Sequence, residues 1–230
     1  MADNTLSDVY REFLKYAPAY AQVEAQEAIE KVIELQKQGV IRSGLYYLVL
    51  VDLVASTKFS AKYGNPATAD RIKFFVRSSF DALNEISLKN TGLFVKEIGD
   101  AVLYVFQHFP DVLRWRAAFA KCVDLPGICA EPIELRTCVH IGEVYLDGVN
   151  PLSLAVSQTF KMEKSVPAGA IGMTHPAYVV AWPTLARAYH AFSHLADIEL
   201  DGFKQPVGLY LTNDVASDEL TRTASEVLGE

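Results

Sequence analysis

Residues 93–106, LFVKEIGDAVLYVF, are the stretch that decides the fold of this chain. Val, Ile, Phe and Tyr, which favour strands, lie on both sides of Gly99 and Asp100, and a Gly-Asp step suits a tight reversal. The stretch therefore predicts a two-stranded hairpin with a carboxylate at its tip. Because a single aspartate in a turn is most often structural, a function for Asp100 needs a second observation.

The second observation is Asp52, which ends the continuous apolar run LYYLVLV at residues 45–51. Such a run predicts a central strand that is buried on both faces. If this strand pairs with the hairpin, Asp52 and Asp100 meet at one edge of the sheet. Their hard oxygen atoms suit Mg²⁺ or Mn²⁺, which keep water and take further ligands from substrate phosphate. Ser56 and Thr57 follow where a loop enters a helix, so free backbone amides there would face a phosphate chain.

The remaining chain alternates helices with strands, without a repeat or an obvious linker. This order predicts one α/β sandwich, ferredoxin-like with added elements, whose mixed sheet is mostly antiparallel. Residues 5–38 predict two further helices, divided at Pro18. The other predicted helices cover residues 67–90, 111–123, 152–164 and 175–187. The other predicted strands cover 133–139, 170–173, 192–200 and 207–211, and residues 140–145 continue the first of these either as another strand or as a bulged extension.

Composition excludes several classes of function. Half of the residues are hydrophobic, and the net charge of -7 includes no basic block that would bind a nucleic acid polymer. Three cysteines without a Cys-x-x-Cys pair argue against a disulfide framework and a zinc site. No apolar run reaches the roughly 18 residues of a membrane span, and the N-terminus is polar and acidic. We therefore expect a cytoplasmic protein.

Four segments, in order, resemble the class III nucleotidyl cyclases, the adenylyl and guanylyl cyclases that convert a nucleoside triphosphate into a 3',5'-cyclic monophosphate and pyrophosphate. They are VDLVASTKFS at 51–60, KEIGDAVL at 96–103, LRTCVHIGEV at 135–144 and ELDGFKQPVGLY at 199–210. The resemblance implies the class III cyclase fold and a head-to-tail homodimer with active sites at its interface. It divides the chain into an N-terminal helical extension (1–43), a catalytic domain (44–212) and a polar tail (213–230).

The resemblance assigns roles to individual residues. Asp52 and Asp100 fall on the two metal-binding, catalytic aspartates, and Leu53 offers its backbone carbonyl to one of two Mg²⁺ or Mn²⁺ ions. In the family, these ions polarise the 3'-hydroxyl and the triphosphate for in-line attack on the α-phosphate. Lys96 falls on the position that contacts the base in the neighbouring active site of the dimer.

Other positions depart from the family pattern. Lys161 replaces the transition-state arginine, and Arg42 is an alternative source of that charge, since a lysine lacks the planar fork of an arginine. The remaining departures are Ser157 for the ribose-positioning Asn, Asn150 for the base-reading Asp or Thr, and Asp201 for the triphosphate-binding Lys, with Lys204 as its substitute.

Asn150 presents both a donor and an acceptor, so it can pair with uracil or guanine, or flip to suit cytosine. The departures resemble the bacterial pyrimidine cyclases of Pycsar antiphage systems, which make cyclic UMP or cyclic CMP for a separate effector protein. We favour this subgroup, with UTP ahead of CTP. The alternatives are an adenylyl or guanylyl cyclase, a catalytically silent cyclase homology domain that binds a nucleotide or a partner, and a polymerase-like or diguanylate-cyclase-like palm enzyme.

Overall fold

The computed structural model describes residues 44–85, 92–124, 130–147, 150–185, 192–199 and 204–213. The predicted helices at 5–38, Arg42, Asp201 and the tail beyond residue 213 lie outside these ranges. No described helix combines the length and the apolar character that crossing a membrane requires. The elements are β1 (Gly44–Leu53), α1 (Ser56–Glu85), β2 (Gly92–Ile98), β3 (Ala101–Phe106), α2 (Phe109–Val123), β4 (Leu135–Asp147), β5 (Asn150–Leu152), α3 (Leu154–Met162), a 3₁₀ turn (Glu163–Ser165), β6 (Ala170–Thr174), α4 (His175–Leu185), β7 (Ser193–Ile198) and β8 (Val207–Asn213).

Seven strands form one path in the order β2-β3-β1-β4-β6-β8-β7, and β5 pairs with β4 beside this path. Among the described pairs, only β4 and β6 run parallel. The predicted α/β fold with a mixed, mostly antiparallel sheet is therefore confirmed.

Strand β1 lies in the middle of the sheet, between β3 and β4, as its continuous apolar run predicts. Its side chains alternate between two cores, because successive residues of a strand point to opposite faces. Tyr47, Val49 and Val51 pack with side chains from α1, α2 and α4, whereas Leu48 and Leu50 pack with side chains from α3. Helices therefore cover both faces of the sheet. Asp52 is the polar residue near the end of a strand that is buried on both faces.

The hairpin at residues 93–106 is confirmed. Strands β2 and β3 pair antiparallel and are joined by a turn at Gly99 and Asp100. Gly99 has φ of 63°, a left-handed conformation that glycine adopts without steric cost. The pairing register shifts between Phe94 and Lys96, which places an irregularity in β2 shortly before the turn at Gly99 and Asp100.

The predicted helix start near residue 67 is confirmed for the longer part of α1, and a shorter helical segment that begins at Ser56 precedes it. The motif Asn65-Pro66 is typical of a helix start, and it directly follows the non-helical Gly64, where φ is 83° and ψ is 169°, so α1 consists of two helical segments joined at a kink. This kink lets Pro66 follow without a clash with the preceding turn. Strand β4 continues unbroken to Asp147, which resolves the open question of how residues 140–145 continue.

Candidate active site

Asp52 and Asp100 meet at one edge of the sheet, as expected from the antiparallel pairing of β1 with β3. Asp52 lies opposite Ala101, the first residue of β3, and Leu53 N–H donates to the carbonyl of Asp100 at 2.9 Å. The two carboxylates face a cleft of about 470 Å³. Its lining comprises Asp52, Leu53, Ala55, Ser56, Thr57, Lys58, Ile98, Asp100, Ala101, Arg136, Phe160 and Glu163.

A tight turn between β1 and α1 brings the start of that helix into the cleft. Ala55 has φ of 62°, a left-handed conformation that is uncommon for a residue with a Cβ atom. Ser56 then begins α1, and its hydroxyl donates to the Asp100 carboxylate. On the other side, Val54 N–H donates to the carbonyl of Glu134 at 3.0 Å, which ties the turn to the segment before β4. The positive end of the α1 dipole therefore lies beside the two aspartates.

Asp52 is in an unfavourable electrostatic environment. Asp52 is only 8% exposed, and this burial raises the pKa of its carboxyl group to about 6. The carboxylates of Glu163 and Asp100 raise the pKa further, while Arg136 opposes them. A divalent cation in the cleft would favour the ionised form of Asp52, because an opposite charge nearby stabilises a buried carboxylate.

Three charged residues of the lining, Lys58, Arg136 and Glu163, were not predicted as site residues. Arg136 lies opposite Asp52 in the pairing of β1 with β4, and its Nη1 donates to Asp52 Oδ2 at 3.3 Å and to Glu163 Oε1 at 2.9 Å. Its Nε is buried and has no hydrogen-bond partner in the described part of the chain. The sequence signal for Arg136 was present, since it belongs to the cyclase-like segment at 135–144, but its register opposite Asp52 could not be known.

Helix α3 packs one side into the core, while its C-terminal end borders the cleft and another side faces solvent. Phe160 and, just beyond the helix, Glu163 line the cleft, whereas Ser157 and Lys161 are exposed and do not. Residues four apart share a helix face, so Ser157 and Lys161 lie together on a face other than the one toward Asp52. Ser157 and Lys161, which were both predicted as site residues, therefore lie near each other but not in the cleft of their own chain.

Of the other predicted substrate-binding residues, Ser56 and Thr57 line the cleft and Lys204 does not, while Lys96 and Asn150 are located by their backbones alone. Lys96 pairs by its backbone with Leu103 in the hairpin. Asn150 begins β5 beside the C-terminal end of β4, and Lys204 lies three residues before β8. Because β1 runs antiparallel to β4, and β8 antiparallel to β6, both Asn150 and Lys204 lie at the edge of the sheet opposite Asp52.

The donor set at the cleft fits a divalent cation that binds mainly through water and substrate. Asp52 and Asp100 offer carboxylate oxygens, and Leu53 offers a carbonyl in the same lining. Within the ranges that the structure describes, no three His, Cys, Asp or Glu side chains are grouped as a metal cage. Mg²⁺ typically binds through one or two carboxylates plus phosphate oxygens, which is the arrangement available here.

Comparison with known proteins gives a clear structural result and no match from sequence. No family model matches the chain, and no curated protein matches it. An adenylate/guanylate cyclase/hydrolase from Silicibacter pomeroyi aligns with a TM-score of 0.61 at 18% identity, over 75% of this chain and 98% of that chain.

Two other solved structures give the same picture. An adenylate cyclase from Trypanosoma brucei, in its monomeric state, aligns with a TM-score of 0.60 at 16% identity, over 75% of this chain and 90% of that chain. The guanylate cyclase domain of RhGC from Catenaria anguillulae, in complex with GTP, gives 0.59 at 17% identity, over 74% and 96% respectively. The chain therefore has the fold of class III adenylyl and guanylyl cyclase catalytic domains.

Proposed function

We propose that this protein is a nucleotidyl cyclase, which converts a nucleoside triphosphate into a 3',5'-cyclic nucleotide and pyrophosphate. The observation that supports this most directly is the convergence of Asp52 and Asp100 in one cleft of a cyclase-like fold. Residues 44–212 form the proposed catalytic domain. Asp52, Asp100 and the Leu53 carbonyl would hold two Mg²⁺ or Mn²⁺ ions, which when bound supply charge neutralisation and activation of the 3'-hydroxyl for in-line attack.

The chain's own groups would receive the triphosphate beside the aspartates. Thr57 and Lys58 line the cleft within the first turn of α1, where backbone amides and the helix dipole favour anions. Arg136 carries a planar fork that matches phosphate oxygens, and it is already placed between Asp52 and Glu163. Binding a phosphate would let Arg136 exchange a carboxylate partner for the substrate, without moving its backbone.

The base and the ribose would be recognised by a second copy of the chain. Ser157, Lys161 and Lys204 lie outside the cleft lining, and the backbones of Asn150 and Lys204 lie at the opposite edge of the sheet. Lys96 is proposed to act with them. A head-to-tail homodimer would place that edge of one chain against the cleft of the other. In this arrangement Lys161 stabilises the transferred phosphoryl group from the partner side.

The proposed substrate is a pyrimidine nucleotide, with UTP ahead of CTP, because Asn150 can offer both a donor and an acceptor to the base. The cyclic product would then act as a messenger for a separate effector in antiphage defence. The test incubates purified protein and Mn²⁺ with each of the four nucleoside triphosphates, with Asp100→Asn as the matched inactive control. Cyclic UMP or cyclic CMP is expected. Cyclisation of ATP or GTP alone would overturn the pyrimidine assignment, and no cyclic product from any nucleotide would overturn the cyclase.

Complementation tests the shared active site. Asp52→Asn and Lys161→Ala homodimers should each be inactive, but mixing them should restore about a quarter of wild-type activity, because half of the dimers are mixed and each has one intact site. If Lys161 acted in the same cleft as Asp52, every site in the mixture would carry one defect and no activity would return. Equal activity before and after mixing would exclude a shared site.

A further inference from the structure

We propose that Arg71, which lies on α1 outside the cleft, is a positioning residue that fixes two walls of the active site relative to each other. The inference rests on the proposed cyclase function, since it concerns the same cleft. Arg71 is only 6% exposed, and arginine is rarely buried to this degree unless its donors are used.

The first wall that Arg71 contacts is the backbone leading into β4. Its Nη1 donates to the carbonyl of Glu131 at 2.9 Å, and its Nη2 donates to the carbonyl of Pro132 at 2.8 Å. One rigid guanidinium thus binds two successive carbonyls of a segment that belongs to no helix or strand. A lysine could not reproduce this contact, because it presents one flexible point charge in place of a fork.

The second wall is the turn that starts α1. The Arg71 guanidinium lies 4.4 Å from the centre of the Phe59 ring, and Phe59 is itself 5% exposed. Phe59 N–H donates to the carbonyl of Ala55 at 2.9 Å, which closes the first turn of the helix. The residues between Ala55 and Phe59 include Ser56, whose hydroxyl binds Asp100. A buried contact between guanidinium and ring therefore supports the turn that presents Ser56 to the cleft.

The clamped segment continues directly into the catalytic groups. Two residues after Pro132, the carbonyl of Glu134 accepts from Val54 N–H at 3.0 Å, and two residues further Arg136 lies opposite Asp52. A shift of the backbone at 131–132 would therefore move both Arg136 and the turn after β1. Displacements of about 1 Å at a reacting centre can reduce turnover by roughly 100-fold.

Exposed contacts also bind this segment. Glu131 Oε1 accepts from Lys62 Nζ at 2.6 Å and from Tyr63 Oη at 2.9 Å. Solvent-exposed pairs of this kind typically contribute little, so the buried fork of Arg71 should hold the segment more firmly. Lys62→Met therefore serves as a control that removes a contact to the same segment without touching Arg71.

The experiment compares Arg71→Met and Arg71→Lys with Lys62→Met and with Val112→Ala, a core variant on α2 that lowers stability away from the cleft. Cyclase rates and Mn²⁺ binding, followed by calorimetric titration, are measured at a temperature where every variant is folded. Both Arg71 variants should lower kcat roughly 10- to 100-fold and weaken Mn²⁺ binding. Lys62→Met and Val112→Ala should keep wild-type values, even where Val112→Ala loses as much thermal stability as Arg71→Met.

Wild-type kcat and Mn²⁺ affinity in Arg71→Met, or an equal loss in Val112→Ala, would reduce Arg71 to a general stabiliser and overturn the inference. If the wild type bound Mn²⁺ but made no cyclic product, the proposed function would fail, while the Mn²⁺ titrations would still decide the role of Arg71. A wild type that neither binds Mn²⁺ nor makes product would overturn both.

Discussion

Replacing Asp52 with asparagine should make the metal-free protein more stable at pH 8, although it removes a group that the reaction needs. The wild-type carboxyl is 8% exposed and lies near Glu163 and Asp100, so ionising it in the folded state is unfavourable. Asparagine has nearly the same shape and carries no charge. The buried carboxylate is a local cost of function that binding of a cation would offset.

The magnitude follows from the pKa of Asp52. That pKa is about 6 in the folded protein, against about 3.9 in an unfolded chain, and about 1.4 kcal/mol per unit gives about 3 kcal/mol. The folded state binds the proton more tightly, so the wild type is most stable, relative to the variant, below the unfolded pKa. That stability is lost as pH rises from about 4 through about 6. The variant should therefore exceed the wild type by about 3 kcal/mol at pH 8 and by about 1.5 kcal/mol at pH 5.

Urea unfolding in the presence of a chelator, at pH 5 and pH 8, measures both differences. Asp70→Asn, on an exposed part of α1, is the matched control and should change stability by less than about 0.5 kcal/mol. Added Mn²⁺ should raise the stability of the wild type but not that of Asp52→Asn, because ligand that binds only the folded state stabilises it by mass action. A variant that is less stable at pH 8, or a difference that does not change with pH, would refute the electrostatic account of the site.

Three further substitutions have distinct expected results. Asp100→Asn should lower turnover roughly 100- to 1000-fold by steady-state assay, because it removes charge stabilisation, while the far-ultraviolet circular dichroism stays unchanged. Glu163→Gln should lower KM for the triphosphate, since Arg136 would be held less tightly by its 2.9 Å partner; a raised KM would contradict this. Gly142→Ala should reduce unfolding free energy by about 1–3 kcal/mol in urea, because the new Cβ would lie 2.3 Å from Ala155 Cβ.

The sheet and the two aspartates could be predicted because both depend on local patterns. The run at 45–51 is apolar at every position, which requires burial on both faces, and Gly99 with Asp100 is a turn signal that no tertiary contact overrides. Antiparallel pairing of a central strand with this hairpin leaves few places for Asp52 other than beside Asp100. The convergence of the two carboxylates was therefore implied once the strands were recognised.

The extent of the helical segment before Gly64 and the groups around Asp52 could not be predicted in the same way. Asn65-Pro66 correctly signals the start of the helical segment after Gly64, but how far the shorter segment from Ser56 extends depends on the kink at Gly64. Arg136 reaches Asp52 across 84 positions of sequence, through a strand register that propensities do not specify. Such contacts depend on how helices and strands pack against each other. The sequence shows which residues are present, but it does not show which residues they contact.

The charges of the cleft separate two tasks of the proposed enzyme, which are binding the triphosphate and selecting the base. Its lining includes three carboxylates, those of Asp52, Asp100 and Glu163, against the cations Lys58 and Arg136. A polyanionic triphosphate would be repelled by the excess negative charge unless divalent cations entered with it. Binding at this edge would therefore recognise the metal–triphosphate group, which all four nucleotides share. The choice of base would then depend on residues at the opposite edge of the sheet, such as Asn150, and changes at Asp52 should reduce the cyclisation of every nucleotide alike.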